Sequence, residues 1–120
     1  MAVLEFPQPT RLVPDLVASV STEAAAAVIA LRGEADIATV PVIVDSLARV
    51  TANHDGPVVV DLAHLDFIDS ATVDALERAW QFLDARGRRL TLRSPSPIAV
   101  RVLAIFKLSH LVEPAGAVER

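Results

Sequence analysis

The chain has 120 residues, of which 52% are hydrophobic and 22% are charged, and it contains no cysteine. This length fits one domain of typical size and excludes a cofactor domain joined to a separate substrate domain. The lack of cysteine excludes disulfides, thiolate metal sites and cysteine nucleophiles. The net charge of −4 argues against direct binding of nucleic acid, because domains that bind nucleic acid are usually basic.

The first 23 residues are predicted to form an N-terminal arm. Three prolines, at positions 7, 9 and 14, remove backbone donors and so disfavour a helix or a central strand. Within the arm, residues 16–20 form a possible edge strand. The chain start lacks the basic residues and the long apolar core of an export signal.

No segment is apolar over the roughly 20 residues that a membrane-spanning helix needs. The longest apolar run, residues 24–31, has eight residues. We therefore expect a soluble cytoplasmic protein without membrane insertion.

Strands and helices are predicted to alternate through the first half of the chain. Residues 26–33 form a short apolar run that Gly33 closes, which is typical of a buried strand. A helix is predicted to follow, with Thr39 as its cap and Pro41 in its first turn. Its apolar residues recur at helical spacing as far as residue 52.

The same alternation continues in the second half. Residues 58–62 are predicted to form a strand buried on both faces, and residues 63–70 lead into a helix that ends at Arg86-Gly87. The apolar residues of this helix are Val73, Leu76, Trp80 and Leu83. A short strand at 90–93 precedes a third helix.

Ser96 and Pro97 are predicted to start the third helix, as its cap and its first residue. Its predicted apolar face comprises Ile98, Val102, Leu103, Ile105 and Phe106. Residues 111–113 form a possible last edge strand, and residues 114–120 are predicted to be a flexible tail. The alternation of strands with helices predicts an α/β layered domain.

Several short motifs, in order along the chain, resemble those of the STAS domain, the fold of bacterial anti-sigma factor antagonists. Each motif is weak alone, but their joint order and spacing are fairly specific. They are Gly33-Glu34-Ala35-Asp36, Asp61-Leu62, Phe67-Ile68-Asp69-Ser70, residues 94–103 and residues 108–111. The resemblance covers residues 24–113, which are the predicted domain.

The resemblance implies a single mixed β-sheet of about four or five strands with helices packed on it. It also implies a binding protein rather than an enzyme. In its unphosphorylated form it would bind an anti-sigma factor that is also a serine kinase, and so regulate transcription in a bacterial stress response. Phosphorylation of Ser70 would release the partner, and a PP2C-type phosphatase would reset the switch.

The residues around Ser70 also carry a physical argument. A serine at a helix N-terminus accommodates a phosphate, because free N–H groups and the helix dipole favour negative charge there. A phosphate adds about 1.5–2 negative charges, close in sequence to Asp69 and Asp74. This change should repel an acidic or closely packed partner. The predicted partner-binding surface is Asp36, Asp69, Ser70, Ala71, Thr72 and Asp74, with Asp36 carried over from the resemblance.

Asp69 and Ser70 also have a simpler interpretation as an ordinary helix cap, worth about 1 kcal/mol. The two interpretations are compatible. Thr72 and Asp74 depart from the family pattern, which usually has glycine and another small residue at these positions. Thr72 is a secondary candidate for phosphorylation, and Asp74 adds charge that competes with a phosphate.

Two other functions remain open. One alternative is a non-phosphorylated STAS scaffold, such as the accessory subunit of a lipid-transport ATPase or of a sensory complex. A small nucleotide-binding protein is the weaker alternative, supported only by the carboxylates within residues 61–74. The three histidines are far apart, no glycine-rich phosphate loop is present, and we expect no metal, cofactor or catalytic residue.

Overall fold

Four strands form one mixed sheet in which spatial order equals chain order. The computed structural model describes residues 15–113, so the predictions for residues 1–14 and 114–120 lie outside the described part. The strands are β1 (Leu16–Glu23), β2 (Ala26–Ala35), β3 (Val58–Ile68) and β4 (Leu90–Arg93). β1 pairs antiparallel with β2, whereas β2, β3 and β4 are parallel. The predicted mixed sheet of about four or five strands is confirmed.

The strand proposed inside the N-terminal arm is a full member of the sheet. β1 pairs with β2 over its whole length, from Leu16 opposite Gly33 to Glu23 opposite Ala26. Leu16 is completely buried, while most of the remaining β1 side chains are exposed. This is the pattern of an edge strand that contributes little to the core beyond its first residue.

β3 is longer than predicted, because residues 63–68 continue the strand instead of forming a loop. The register of β2 against β3 shifts twice, between Ala30 and Arg32 and between Gly33 and Glu34. These irregularities break the alternation of the strand, so that Leu62, Leu65 and Ile68 are buried at intervals of three residues. A strand with this spacing cannot be recognised from a period of two.

Three helices pack on the sheet: α1 (Val40–Asn53), α2 (Ser70–Asp84) and α3 (Pro97–Ile105). α1 contacts β1, β2 and α2; α2 also contacts β4; α3 contacts β3. The buried side chains of the helices join those of the strands in one hydrophobic core. α2 buries Val73, Leu76 and Leu83 as predicted, whereas Trp80 is half-buried with its ring edge-on to His110.

Thr39 does not cap α1 with its side chain, contrary to the prediction. A 3-10 turn, Ile37–Thr39, precedes α1, and Asp36 caps that turn. The Asp36 carboxylate accepts from the N–H groups of Ala38 and Thr39, while the Thr39 hydroxyl accepts from the N–H of Asp36 at 2.9 Å. Thr39 is therefore the far end of a reciprocal capping box.

The third helix starts at the predicted residue, but its buried face differs from the predicted one. The Ser96 hydroxyl caps α3 by accepting from the N–H of Ala99 at 3.1 Å. Only Ala99 and Leu103 are buried, whereas Ile98 and Ile105 are 70% and 73% exposed. The prediction assigned too many residues to the core because nearly the whole helix is apolar, and hydropathy alone does not define which side meets the sheet.

The predicted last strand is reduced to one bridge. A 3-10 turn, Ser109–Leu111, leads to Val112, which forms an isolated parallel bridge with Leu92. The N–H of Glu113 donates to the Leu92 carbonyl at 2.8 Å. This contact covers part of the outer edge of β4.

One ion network ties the end of β1 to β3 and β4. The Arg93 guanidinium contacts Glu23 at 2.9 Å and Asp61 at 3.1 Å, and the Arg93 side chain is only 18% exposed. The hydrogen bond to Glu23, followed by that to Asp61, raises the pKa of Arg93 above its ordinary value despite partial burial. Asp61, part of the sequence motif, thus has a structural partner.

Gly33 is required where the chain enters the sheet. Its φ is +118°, and a Cβ added there would lie 2.0 Å from the Asp15 carbonyl oxygen. The N–H of Glu34 donates to that same carbonyl at 3.0 Å. A side chain at this position would therefore strain the backbone and displace the start of β1.

We expect Gly33→Ala to lower the free energy of unfolding by about 3 kcal/mol, because backbone strain and the clash act together. Gly87→Ala is the matched control, since Gly87 also has positive φ (+71°) but nothing lies within 4 Å of its added Cβ. The control should cost about 1 kcal/mol. Urea unfolding measures both, and equal losses would contradict the steric role of Gly33.

Candidate functional site

The predicted site lies where β2 and β3 end and α1 and α2 begin. Ala35 at the end of β2 pairs with Ile68 at the end of β3. The next residues along the chain are Asp36 and Asp69, and each begins the turn or helix that follows its strand. The parallel pairing therefore places two aspartates that are 33 positions apart in the sequence at the start of neighbouring connections.

Asp69 joins the two connections through both of its carboxylate oxygens. Oδ1 accepts from the N–H of Thr72 at 3.0 Å, which caps α2, and Oδ2 accepts from the N–H of Ile37 at 3.1 Å. Its own N–H donates to the Ala35 carbonyl at 3.2 Å. The start of α2 and the 3-10 turn before α1 are thus held at a fixed separation.

Ser70 is the first residue of α2, and its side chain is exposed. Next to it, beyond the Asp69 carboxylate, Ile37 is 74% exposed despite being apolar. We call Asp36, Ile37, Asp69 and Ser70 the Ser70 surface. It offers an accessible hydroxyl at a helix N-terminus, acidic groups and one apolar side chain within a rigid frame.

Ala71 and Asp74 lie beside the Ser70 surface, on the wall of a groove between α1 and α2. The groove has a volume of about 550 Å³. Asp74 forms an ion pair with Arg78 one turn further along α2, at 2.9 Å. We call this the α1–α2 groove; its lining is Val40, Val44, Leu47, Ala48, Thr51, Ala71, Asp74, Ala75, Arg78, Ala79 and Phe82.

Thr72 is placed differently from the other five predicted residues. It is completely buried, and its hydroxyl has no hydrogen-bond partner within the described residues. A kinase cannot reach a hydroxyl enclosed in this way while the first turn of α2 is folded. The burial of Thr72 therefore argues against it as the secondary phosphorylation site and as part of a contact surface.

Sequence reasoning missed Ile37 and the apolar walls of the groove. Val40, Val44 and Ala48 recur at intervals of four on α1, as Ala71, Ala75 and Ala79 do on α2. On each helix these residues form a second row beside the residues that face the core. The same helical period could have identified both rows. They were obscured because alanine and valine are abundant throughout the chain.

The described residues show no metal-binding group of three or more histidine, aspartate or glutamate side chains. Within residues 15–113, no helix is both long and apolar enough to cross a membrane.

The chain belongs to the STAS domain family: the family model described as "Mlab, STAS domain" matches residues 18–113. No curated protein matches the chain at the sequence level. The resemblance seen in the motifs is thereby confirmed, and so is the expected STAS-type α/β fold.

Solved structures of anti-sigma factor antagonists share this fold. The unphosphorylated form of SpoIIAA superposes with a TM-score of 0.73 at 23% identity, covering 86% of this chain and 91% of that one. The phosphorylated form of the Bacillus SpoIIAA gives 0.68 at 23% identity, over 86% and 95% of the two chains. An anti-sigma factor antagonist from Mycobacterium paratuberculosis gives 0.74 at 20% identity, over 87% and 91%.

Removing the Asp69 carboxylate should cost more than removing an ordinary cap. We expect Asp69→Ala to lower the free energy of unfolding by about 2 kcal/mol, about 1 for the lost cap and about 1 for the lost bond to Ile37. Ser96→Ala is the matched control, because the Ser96 hydroxyl caps α3 alone, and about 1 kcal/mol is expected. Urea unfolding gives both values; a smaller loss for Asp69→Ala than for Ser96→Ala would contradict the bridging role.

Proposed function

We propose that this STAS domain is an anti-sigma factor antagonist whose binding is switched off by phosphorylation of Ser70. In this proposal the unphosphorylated protein binds, in the cytoplasm, an anti-sigma factor that is also a serine kinase, and a sigma factor is released. The kinase phosphorylates Ser70, and a PP2C-type phosphatase removes the phosphate. The domain itself performs no catalysis.

The observation that carries the proposal is the setting of Ser70. Its hydroxyl is exposed at the first position of a 15-residue helix, whereas the neighbouring Thr72 is fully buried. One accessible acceptor therefore stands on a frame that Asp69 holds rigid. The shared fold with antagonists solved in both phosphorylation states supports the same interpretation.

Electrostatics explains how one phosphate would release a partner. Asp36 and Asp69 are already present on the Ser70 surface, and Asp74 lies one helical turn from Ser70. Adding about 1.5–2 negative charges there raises the local charge density and introduces a group that a packed interface cannot desolvate. The Asp69 carboxylate accepts hydrogen bonds from two N–H groups, which keep it in place beside a phosphate. The added charge would therefore repel the partner without disrupting the fold.

Incubation of the protein with the cognate kinase and ATP tests the proposal. We expect the mass to rise by a single phosphate in the natural protein and in Ser109→Ala, which changes another exposed serine. Ser70→Ala should remain unmodified. Modification of Ser70→Ala to the same extent as the natural protein would place the acceptor elsewhere and contradict the proposal.

A charge mimic tests the release step separately. We expect Ser70→Glu to weaken binding of the kinase by about tenfold or more, the equivalent of roughly 1.4 kcal/mol, because like charges at an interface are costly. Ser70→Gln is the control, since it has the same size without the charge. Titration calorimetry measures both affinities, and equal affinities would rule out an electrostatic switch.

A STAS scaffold that is not phosphorylated is the second candidate, as the accessory subunit of a lipid-transport ATPase or a sensory complex. Asp74 favours it, because a carboxylate one helical turn from Ser70 adds negative charge that competes with a phosphate there. Affinity purification of the natural protein distinguishes the two. Recovery of an ATPase subunit without a kinase would support the scaffold.

A further inference from the structure

The exposed face of α3 combines apolar and basic side chains. Arg101 and Ile105 follow Ile98 by three and seven positions, so the three side chains lie on one face of the helix. That face is turned away from the two residues through which α3 joins the core. The turn after the helix adds Phe106 and Lys107, which are both exposed. We call Ile98, Arg101, Ile105, Phe106 and Lys107 the α3 stripe.

The apolar residues of the α3 stripe protrude from the surface. Ile98 and Ile105 are 70% and 73% exposed, and neither lines the α1–α2 groove. Of the ten large apolar side chains that are exposed within the described residues, four lie between positions 98 and 106. Single exposed apolar side chains are ordinary on a protein, but a cluster of them marks a contact surface.

The charge around the α3 stripe is positive, in contrast to the chain as a whole. Residues 85–112 contain no aspartate or glutamate, but they contain six of the 11 lysine and arginine residues. Arg93 is paired with two carboxylates, whereas Arg101 and Lys107 form no ion pair within the described residues. Exposed charges are screened beyond about 8 Å in physiological salt, so an anionic surface at the stripe interacts mainly with these nearby cations.

An anionic lipid bilayer suits the α3 stripe better than a protein partner does. A nine-residue helix is about 14 Å long and 10–12 Å across, so its outer face offers far less than the roughly 800 Å² that each partner buries in a stable protein interface. A bilayer surface requires no complementary pocket for a protruding side chain. Apolar side chains enter the boundary of the acyl chains, while arginine and lysine extend to the headgroups.

We propose that the α3 stripe binds the surface of an anionic phospholipid bilayer. Ile98, Ile105 and Phe106 enter the interface, and Arg101 and Lys107 contact lipid phosphates. The helix lies on the bilayer and does not cross it, because nine residues are far fewer than the roughly 20 that a spanning helix needs. The small contact area makes the binding weak and reversible. The proposal depends neither on phosphorylation of Ser70 nor on the proposed partner.

Vesicle flotation tests the binding. The full-length protein at low salt should float with vesicles of phosphatidylglycerol and phosphatidylethanolamine, and it should stay in solution with phosphatidylcholine vesicles. Arg101→Glu/Lys107→Glu should lower the bound fraction about fivefold or more, because it replaces attraction to the headgroups by repulsion. Ile98→Ser/Ile105→Ser should lower it to a similar extent, because it removes the side chains that enter the interface.

Matched control variants change exposed residues outside the α3 stripe. Arg49→Glu/Arg78→Glu alters the net charge by the same amount as the charge reversal in the stripe. Val17→Ser/Val44→Ser removes two apolar side chains that are exposed on β1 and α1. Both controls should float like the natural protein.

A fluorescent label locates the contact, because the chain has no native cysteine to interfere. An environment-sensitive dye on Ile105→Cys should shift its emission to shorter wavelength when anionic vesicles are added, since the dye then leaves water. The same dye on Val44→Cys, an exposed position on α1, should not shift.

Several results would overturn the proposal. They are equal flotation with anionic and neutral vesicles, full binding by either stripe variant, and an equal dye shift at position 44. A dimer in sedimentation equilibrium that Ile98→Ser/Ile105→Ser dissociates would assign the stripe to a second copy. Absence of flotation, together with loss of kinase binding by the stripe variants, would assign it to a protein partner. Failure of the proposed function is a separate result, in which the kinase leaves the natural protein unmodified while flotation persists.

Discussion

The Asp69 carboxylate is the contact on which the geometry of the site depends. One oxygen caps α2 through Thr72, and the other holds the N–H of Ile37 in the turn before α1. Parallel pairing of β2 and β3 brings the turn before α1 close to the start of α2. Strand pairing by itself does not fix the distance between these two segments. The bidentate acceptor fixes their separation, so that Asp36, Ile37 and Ser70 are presented as one surface.

The same frame explains why a local change at Ser70 would act on a partner rather than on the fold. Ser70 is exposed to solvent at the start of α2, whereas Val73 and Leu76, further along the same helix, are fully buried. A charge added outside a well-packed helix alters the surface potential and leaves the core intact. In α2, packing of the core and contact with solvent are therefore carried by different residues.

The sequence predicted the fold well where local chemistry was unambiguous. Ser96 and Pro97 start α3, and the run at 90–93 forms β4. The sequence failed where the sheet departs from regular geometry. Residues 63–68 extend β3 because register shifts between β2 and β3 change the burial interval, and the pairing that produces those shifts involves residues more than 30 positions apart. A pattern read along one strand contains no information on its neighbour.

The sequence by itself determined the family, the order of strands and helices, and the identity of the serine at the start of α2. Ordered motifs and caps record these features locally. Only the tertiary structure decided that Thr72 is buried while Ser70 is exposed, that Asp69 also binds Ile37, and that a groove separates α1 from α2. The reason is physical: burial and cross-connection bonds depend on how helices sit on the sheet, and that placement results from packing of the whole core.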